Sequence, residues 1–205
     1  MARVTSTTLL TQLQNDVLDI QRIVEQEFSP LSNTQLLESA MPTQWSIAQC
    51  LDHLNSYGLY YLPLMERAIQ TAEATNLAAK TVFTSSWLGN YFATSMRPDA
   101  NGRIRLKSKA VKNHTPADQL NAQNVLNEFL RQQAQLETLL DRAKAVDLAG
   151  SRIPISIARW IKLSLGDTFR FLIAHEQRHV LQAQRVLKAL VIPTTTTPLT
   201  EPYAS

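Results

Sequence analysis

The sequence predicts an all-α protein: a four-helix bundle with a long insertion between its second and third helices. Three observations carry this reading. Glycine is scarce, at 5 of 205 residues, while alanine, leucine and glutamine recur throughout, a balance that favours helices over a β-rich fold. Four segments repeat apolar residues in steps of three and four, the period at which one helical face is buried. One of them opens with a capping box, which marks a helix start independently of periodicity.

The first helix covers roughly residues 4–28. Leu13, Val17, Ile20, Val24 and Phe28 form its apolar stripe, with Gln14, Asp19, Arg22 and Glu25 on the solvated side. Ser29-Pro30 closes it, because a proline disfavours helical geometry in the residue before it. The second helix starts at Ser46, which forms an S-x-x-Q box with Gln49 and is flanked by Trp45 and Cys50 in staple positions. Its stripe runs Ile47, Leu51, Leu54, Gly58, Leu62, Met65 and Ile69, and Pro63 should kink it by removing one hydrogen bond. His53 lies beside that stripe, in a row with Gln49, Cys50, Tyr57 and Tyr60.

Residues 76–115 do not read as a long helix. Trp87 to Phe92 is apolar, and Arg97-Pro98-Asp99-Ala100-Asn101-Gly102 is rich in turn formers. Arg103, Arg105, Lys107, Lys109 and Lys112 then gather positive charge, which suits either an anion-binding loop or a solvated one. The third helix is expected over 116–145, with Thr115 as cap, Pro116 in the first position and Leu126, Phe129, Leu130, Leu136, Leu140 and Ala143 facing inward. His114 falls at this junction, a poor place for a ligand inside a bundle. Residues 146–163 form a connection through Gly150 and Pro154, with a helical turn expected at 157–161. The fourth helix begins near Ser164 or Asp167 and runs to about Leu190. Residues 1–192 thus read as one domain, and the Thr- and Pro-rich tail 193–205, which cannot build a core, is expected to be mobile.

The chemistry gathers at His175-Glu176-Gln177-Arg178-His179. Two histidines four apart share a helical face and can hold one divalent ion. The run also fits H-E-x-x-H, the zinc peptidase pattern in which the glutamate is the general base. No Gly-and-His continuation follows, and only Glu201 remains after Arg185, so a third ligand must lie upstream, among His53, His114, Cys50 and the acids. Metal sites of bundles are built from facing side chains, so the second helix would supply His53 and the fourth His175 and His179. Three neutral ligands leave the ion its full charge and an open position, where the pKa of a bound water or thiol falls. Glu176 lies about 100° round the helix from His175, so general base and outward-facing partner of an arginine both stand as roles for it. Gln182 shares the histidine face and could hydrogen-bond a bound water or ligand, while Tyr57 and Tyr60 are candidates to line the pocket. Cys50 reads as a small buried residue completing the staple with Trp45 rather than as a fourth ligand.

Two stretches also carry a family resemblance. Trp45-Ser46-Ile47-Ala48-Gln49-Cys50-Leu51-Asp52-His53-Leu54 resembles the W-(S/T)-x-x-(Q/E)-x-x-x-H-L signature of the DinB-like superfamily. Leu165-Gly166-Asp167 through His175-Glu176 to His179 and Gln182 resembles its final helix. The resemblance implies a DinB/YfiT-like four-helix bundle with His53, His175 and His179 as ligands of nickel, zinc or a similar ion. Members of that superfamily resemble S-transferases using low-molecular-weight thiols, isomerases and hydrolases. The implied function is therefore a metal-dependent enzyme that activates a thiol or water nucleophile against a small-molecule substrate, with a low-molecular-weight thiol as a candidate cofactor. The alternative is a non-catalytic metal- or ligand-binding bundle in stress physiology.

Composition narrows the setting. A single cysteine excludes an internal disulfide framework and suits a reducing compartment. No apolar run approaches a membrane span and no signal-peptide core opens the chain, so a cytoplasmic protein with no membrane partner is expected. The net charge of +3 is only mildly basic, and residues 103–112 lack interleaved aromatics, so nucleic acid is not an expected partner. Apolar positions on helix surfaces suit a core or a homodimer interface alike.

Overall fold

The amphipathic stripes turn inward as their periodicity requires. The computed structural model describes residues 3–75, 79–104 and 111–191. After the short strand β1 (Arg3–Thr5), helix α1 (Ser6–Ile23) runs on through a π-helical turn, Val24–Phe28, and buries Leu13, Val17, Ile20, Val24 and Phe28 on one face. A one-turn helix, α2 (Asn33–Leu37), follows with its own Ser32–Gln35 capping box, which the sequence reading passes over. Helix α3 (Ile47–Ala74) starts at the expected box: Gln49 N–H donates to Ser46 Oγ at 3.2 Å, and Ser46 N–H donates to Gln49 Oε1 at 3.0 Å. Pro63 sits inside α3 without ending it.

The insertion has structure of its own. Strand β2 (Val82–Thr84) pairs antiparallel with β1, and helix α4 (Trp87–Met96) lies against the outer side of the last helix, α6 (Leu165–Val191). Asp167, fully buried near the start of α6, fastens this layer. It accepts from Ser85 Oγ, from Ser86 N–H and Oγ at 3.1 Å each, from Ser164 Oγ at 3.0 Å and from Arg170 at 3.2 Å. Gly89 lets the two helices meet there, since a Cβ on it would lie 2.1 Å from the Asp167 carboxyl.

Helix α5 (Ala122–Arg142) begins later than Thr115-Pro116 suggests. Thr115 is extended, its hydroxyl turns back to the Val111 carbonyl, and Ala117 N–H donates to Asp52 on α3. With those groups engaged, Asn121 becomes the cap, accepting from Asn124 N–H at 3.0 Å. The connection 146–163 is likewise a hairpin, not a helical turn. Strands β3 (Ile153–Ile155) and β4 (Ala158–Leu163) pair antiparallel with one irregularity between Pro154 and Ile155. The buried, half-buried, buried order of Ile153-Pro154-Ile155 is the alternation of a strand, which a search for helical period overlooks.

The four expected helices are therefore α1, α3, α5 and α6. Both α1 and α3 pack against α5 and α6, so the order round the bundle is α1, α5, α3, α6, with α5 and α6 on a diagonal. The tail 193–205 and residues 105–110 of the basic stretch, including Arg105, Lys107 and Lys109, lie outside the described residues. No helix among the described residues is long and apolar enough to cross a membrane.

Candidate metal centre

His53 is on α3, seven residues past its capping box, and His175 and His179 are one turn apart on α6. All three are buried, and each offers a ligand atom within 4.8 Å of the others. The protonation of two rings follows from their partners. His53 donates its Nδ1–H to the His114 carbonyl at 2.6 Å, and His179 donates its Nδ1–H to Gln182 Oε1 at 3.0 Å. Both therefore turn a bare Nε2 toward the cluster. His53 Nε2 stands 3.3 Å from His175 Nε2. Two nitrogens bound to one tetrahedral ion at ~2.0–2.1 Å would stand about 3.3–3.4 Å apart. Burial holds His53 down to about 4, His179 down to about 3, and His175 well below the ordinary imidazole value. At neutral pH all three are in the neutral form that ligates metal. Spacing, tautomers and charge state all fit a divalent ion. The second nitrogen of His175 is the one left unheld: its Nδ1 is buried without a partner among the described residues.

The residues that orient His53 come from the segment the sequence reading discounts. His114 is buried and stacks on Tyr57 with ring centroids 3.9 Å apart. Ser56 Oγ donates to the His53 carbonyl at 2.7 Å, so the 2.8 Å contact with His114 Nδ1 runs the other way, from ring N–H to hydroxyl. Each histidine thus bonds the other's stretch of chain, which fixes the His53 ring and the Lys112–His114 turn together. His114 is not among the three histidines whose ligand atoms cluster. Its carbonyl is nevertheless part of the site, and no sequence signal marks a backbone acceptor.

A cavity of about 610 Å³ opens beside the three rings. Trp45, read from the sequence as a staple, is part of its wall, with its ring 5.0 Å from His53 and 5.9 Å from His179. Tyr57 lines it as expected, its ring 4.3 Å from His175 and its phenol pushed up to about 12 by burial, so it stays protonated. Gln182 lines it too, but its carbonyl oxygen is engaged by His179. Tyr60 does not reach the cavity; its hydroxyl meets the Pro154 carbonyl at 3.4 Å and braces β3. Cys50 is in the core, with burial raising its thiol to about 12, so it stays protonated and apart from the histidine cluster.

Glu176 requires a correction. It is 4% exposed and absent from the cavity wall, so it is neither an outward-facing partner of an arginine nor a base placed beside the histidines. The same 100° that separates it from His175 aims it into the bundle centre, toward Gln133 on the diagonal helix α5. Burial raises its carboxyl to about 8 against the hydrogen bond from Gln133. Arg178, which the sequence reading passes over, takes a place at the cavity instead. It is 7% exposed, and its Nη1 lies 3.8 Å from the sulfur of Met96, which also faces the cavity.

Comparison with known proteins follows this geometry. The sequence model of the DinB superfamily matches residues 18–183, a span that contains all three histidines. Among solved structures the fold is similar to that of YfiT from Bacillus subtilis, described as a probable metal-dependent hydrolase with an unusual four-helix bundle topology. The similarity has a TM-score of 0.51 at 10% identity and covers 88% of this chain and 87% of that one. No curated protein matches the sequence.

Proposed function

The chain belongs to the DinB superfamily, and on that premise we propose that it is a divalent-metal-dependent enzyme in which His53, His175 and His179 hold a zinc or nickel ion. The observation that carries the proposal is the convergence of three buried, neutral imidazoles, two of them with tautomers set by a second hydrogen bond, on one wall of a cavity large enough for a small molecule. A bound divalent ion supplies Lewis acidity there, which makes a water or a thiol nucleophilic at neutral pH. Hydrolysis and thiol S-transfer are the two reactions this serves, the second with a low-molecular-weight thiol as co-substrate.

The protein's own contribution is positional. The His114 carbonyl and Gln182 hold the rings of His53 and His179 at fixed angles. Tyr57, kept protonated by burial, offers a hydroxyl to a bound molecule from the cavity wall. A second reading, a bundle that binds metal or ligand without turnover, is favoured by one observation: no carboxylate lines the cavity among the described residues, so no side-chain base stands ready to take a proton.

The test is elemental analysis of the untagged protein, reconstituted separately with zinc and nickel, beside a His53→Ala variant. Near-stoichiometric metal is expected in the parent and a large loss in the variant. A parent that takes up no metal, or a variant that keeps it, overturns the assignment. Turnover on ester, amide and thiol-transfer panels then separates the enzyme from the binding bundle.

A further inference from the structure

Arg178 is the unexplained charge of the site. A guanidinium cannot lose its proton at any ordinary pH, and a buried one is costly unless it is paired. Arg178 is 93% buried by complement of its 7% exposure, yet among the described residues no aspartate or glutamate comes within ion-pair distance of it. Its side-chain hydrogen bond among the described residues is to the weak acceptor Met96 Sδ. It lines the same cavity as His53, His175 and His179.

Among the described residues, the rest of the wall does not supply that counter-ion. Its polar members are threonines, glutamines, a tyrosine and the histidines, all neutral. A divalent ion on the histidines would add two further positive charges within the same enclosure. Such a cavity is built to receive negative charge from outside the protein.

We propose that Arg178 is the anchor for an oxyanion group on the small molecule this cavity takes, a carboxylate or a phosphate held bidentately by the guanidinium while the reacting end of the molecule lies toward the three histidines. The planar five-donor fork of arginine matches either group, and an ion pair formed in a desolvated pocket is far stronger than one at the surface. This deepens the reading of the cavity as a substrate site and rests on it. It also explains why the helix carrying two ligands spends a buried position on a cation, where a divalent ion would favour an acid.

The experiment uses the full chain, metal-free and zinc-loaded, as wild type, Arg178→Gln and Arg178→Lys. Succinate and inorganic phosphate are the probes, titrated calorimetrically at constant ionic strength with chloride as the balancing anion. The wild type is expected to bind at least one probe saturably in the metal-free form, and the better probe tells carboxylate from phosphate. Arg178→Gln should weaken that binding about tenfold or more, and Arg178→Lys, which keeps the charge but loses the fork, should fall between. Zinc affinity is read separately and should rise in Arg178→Gln, since a repelling charge has gone. Anion binding that is equal in the wild type and Arg178→Gln, or absent for both probes in metal-free and zinc-loaded wild type, overturns the proposal. Anion binding that appears only with zinc and survives Arg178→Gln also overturns it, because the metal is then the anion site. A protein that binds the probes through Arg178 but takes up no metal instead removes the metalloenzyme reading and leaves the anion site standing.

Discussion

Replacing Glu176 with glutamine distinguishes a general base from a buried neutral acid. A base serving the metal site would lose activity on this change and show little effect on stability. The structure predicts the reverse. Glu176 Oε2 and Gln133 Oε1 are both buried acceptors without partners among the described residues. A carboxylate has no proton to donate to Gln133 Oε1, whereas a protonated carboxyl, or a glutamine amide, can donate to it. The folded carboxyl titrates at about 8 against 4.5 in the unfolded chain. Between those values the unfolded state has released its proton and the folded state has not, so the wild type loses stability as pH rises. The loss amounts to about 1.4 kcal/mol per pH unit for one such group. Glutamine does not titrate. The stability difference between Glu176→Gln and wild type should therefore grow in the variant's favour by roughly that slope from about pH 5 to about pH 8, then level off. The histidines titrate in both proteins and cancel in the difference. Urea unfolding of the two metal-free proteins at closely spaced pH values measures it, with metal uptake as the control. Parallel stability profiles would refute the placement of a neutral acid in the bundle centre, and a variant that still folds but no longer takes up metal would refute its separation from the histidine site.

Two further outcomes follow from the same contacts. Gly89→Ala should lower stability by about 1–3 kcal/mol, read as a fall in melting temperature, because the added methyl would lie 2.1 Å from a fully buried carboxyl held by five donors; an unchanged melting temperature would mean α4 is not clamped to α6 at Asp167. Metal-free protein should lose stability as pH falls below about 6.5, the unfolded histidine value, towards the folded values of about 4 for His53 and about 3 for His179, since across that window the unfolded chain binds protons that the folded one refuses; His53→Ala should flatten this slope, and an equal slope in both proteins would refute the buried neutral ring.

What could be read in advance divides along physical lines. The four helices and the three clustered histidines are properties of spacing: apolar residues at helical period, a box at Ser46 and Gln49, and two imidazoles one turn apart. Each survives in the fold because its cause is local or lies on one helical face. The β3–β4 hairpin was hidden because four isoleucines between 153 and 161 carry alternation within a stretch containing Gly150 and Pro154, where a turn was the simpler reading. The start of α5 moved from Thr115 to Asn121 because Asp52, sixty-five residues earlier, takes the Ala117 N–H, a partner that no local rule can supply. Glu176 was misplaced for a related reason. Its angle from His175 was legible, but which neighbour that angle met depended on α5 lying diagonally opposite, which is a fact of assembly.

The same division separates the three histidines from most of the cavity wall around them. His53, His175 and His179 sit on α3 and α6, whose register is set by the bundle core. The cavity wall opposite them is drawn largely from elsewhere: Met96 at the end of α4, Val111 and Thr115 beside the Lys112–His114 turn, and Ile157 at the hairpin tip. These parts can change without disturbing the packing that positions the rings, as long as the His114 carbonyl and the Asp167 clamp are kept. Three wall residues, Tyr57, Arg178 and Gln182, are carried on the histidine-bearing helices themselves, and Arg178 is one position from His179. On the proposed reading, a relative with the same three histidines but a different residue at this position would keep the candidate metal site and lose the proposed anion anchor.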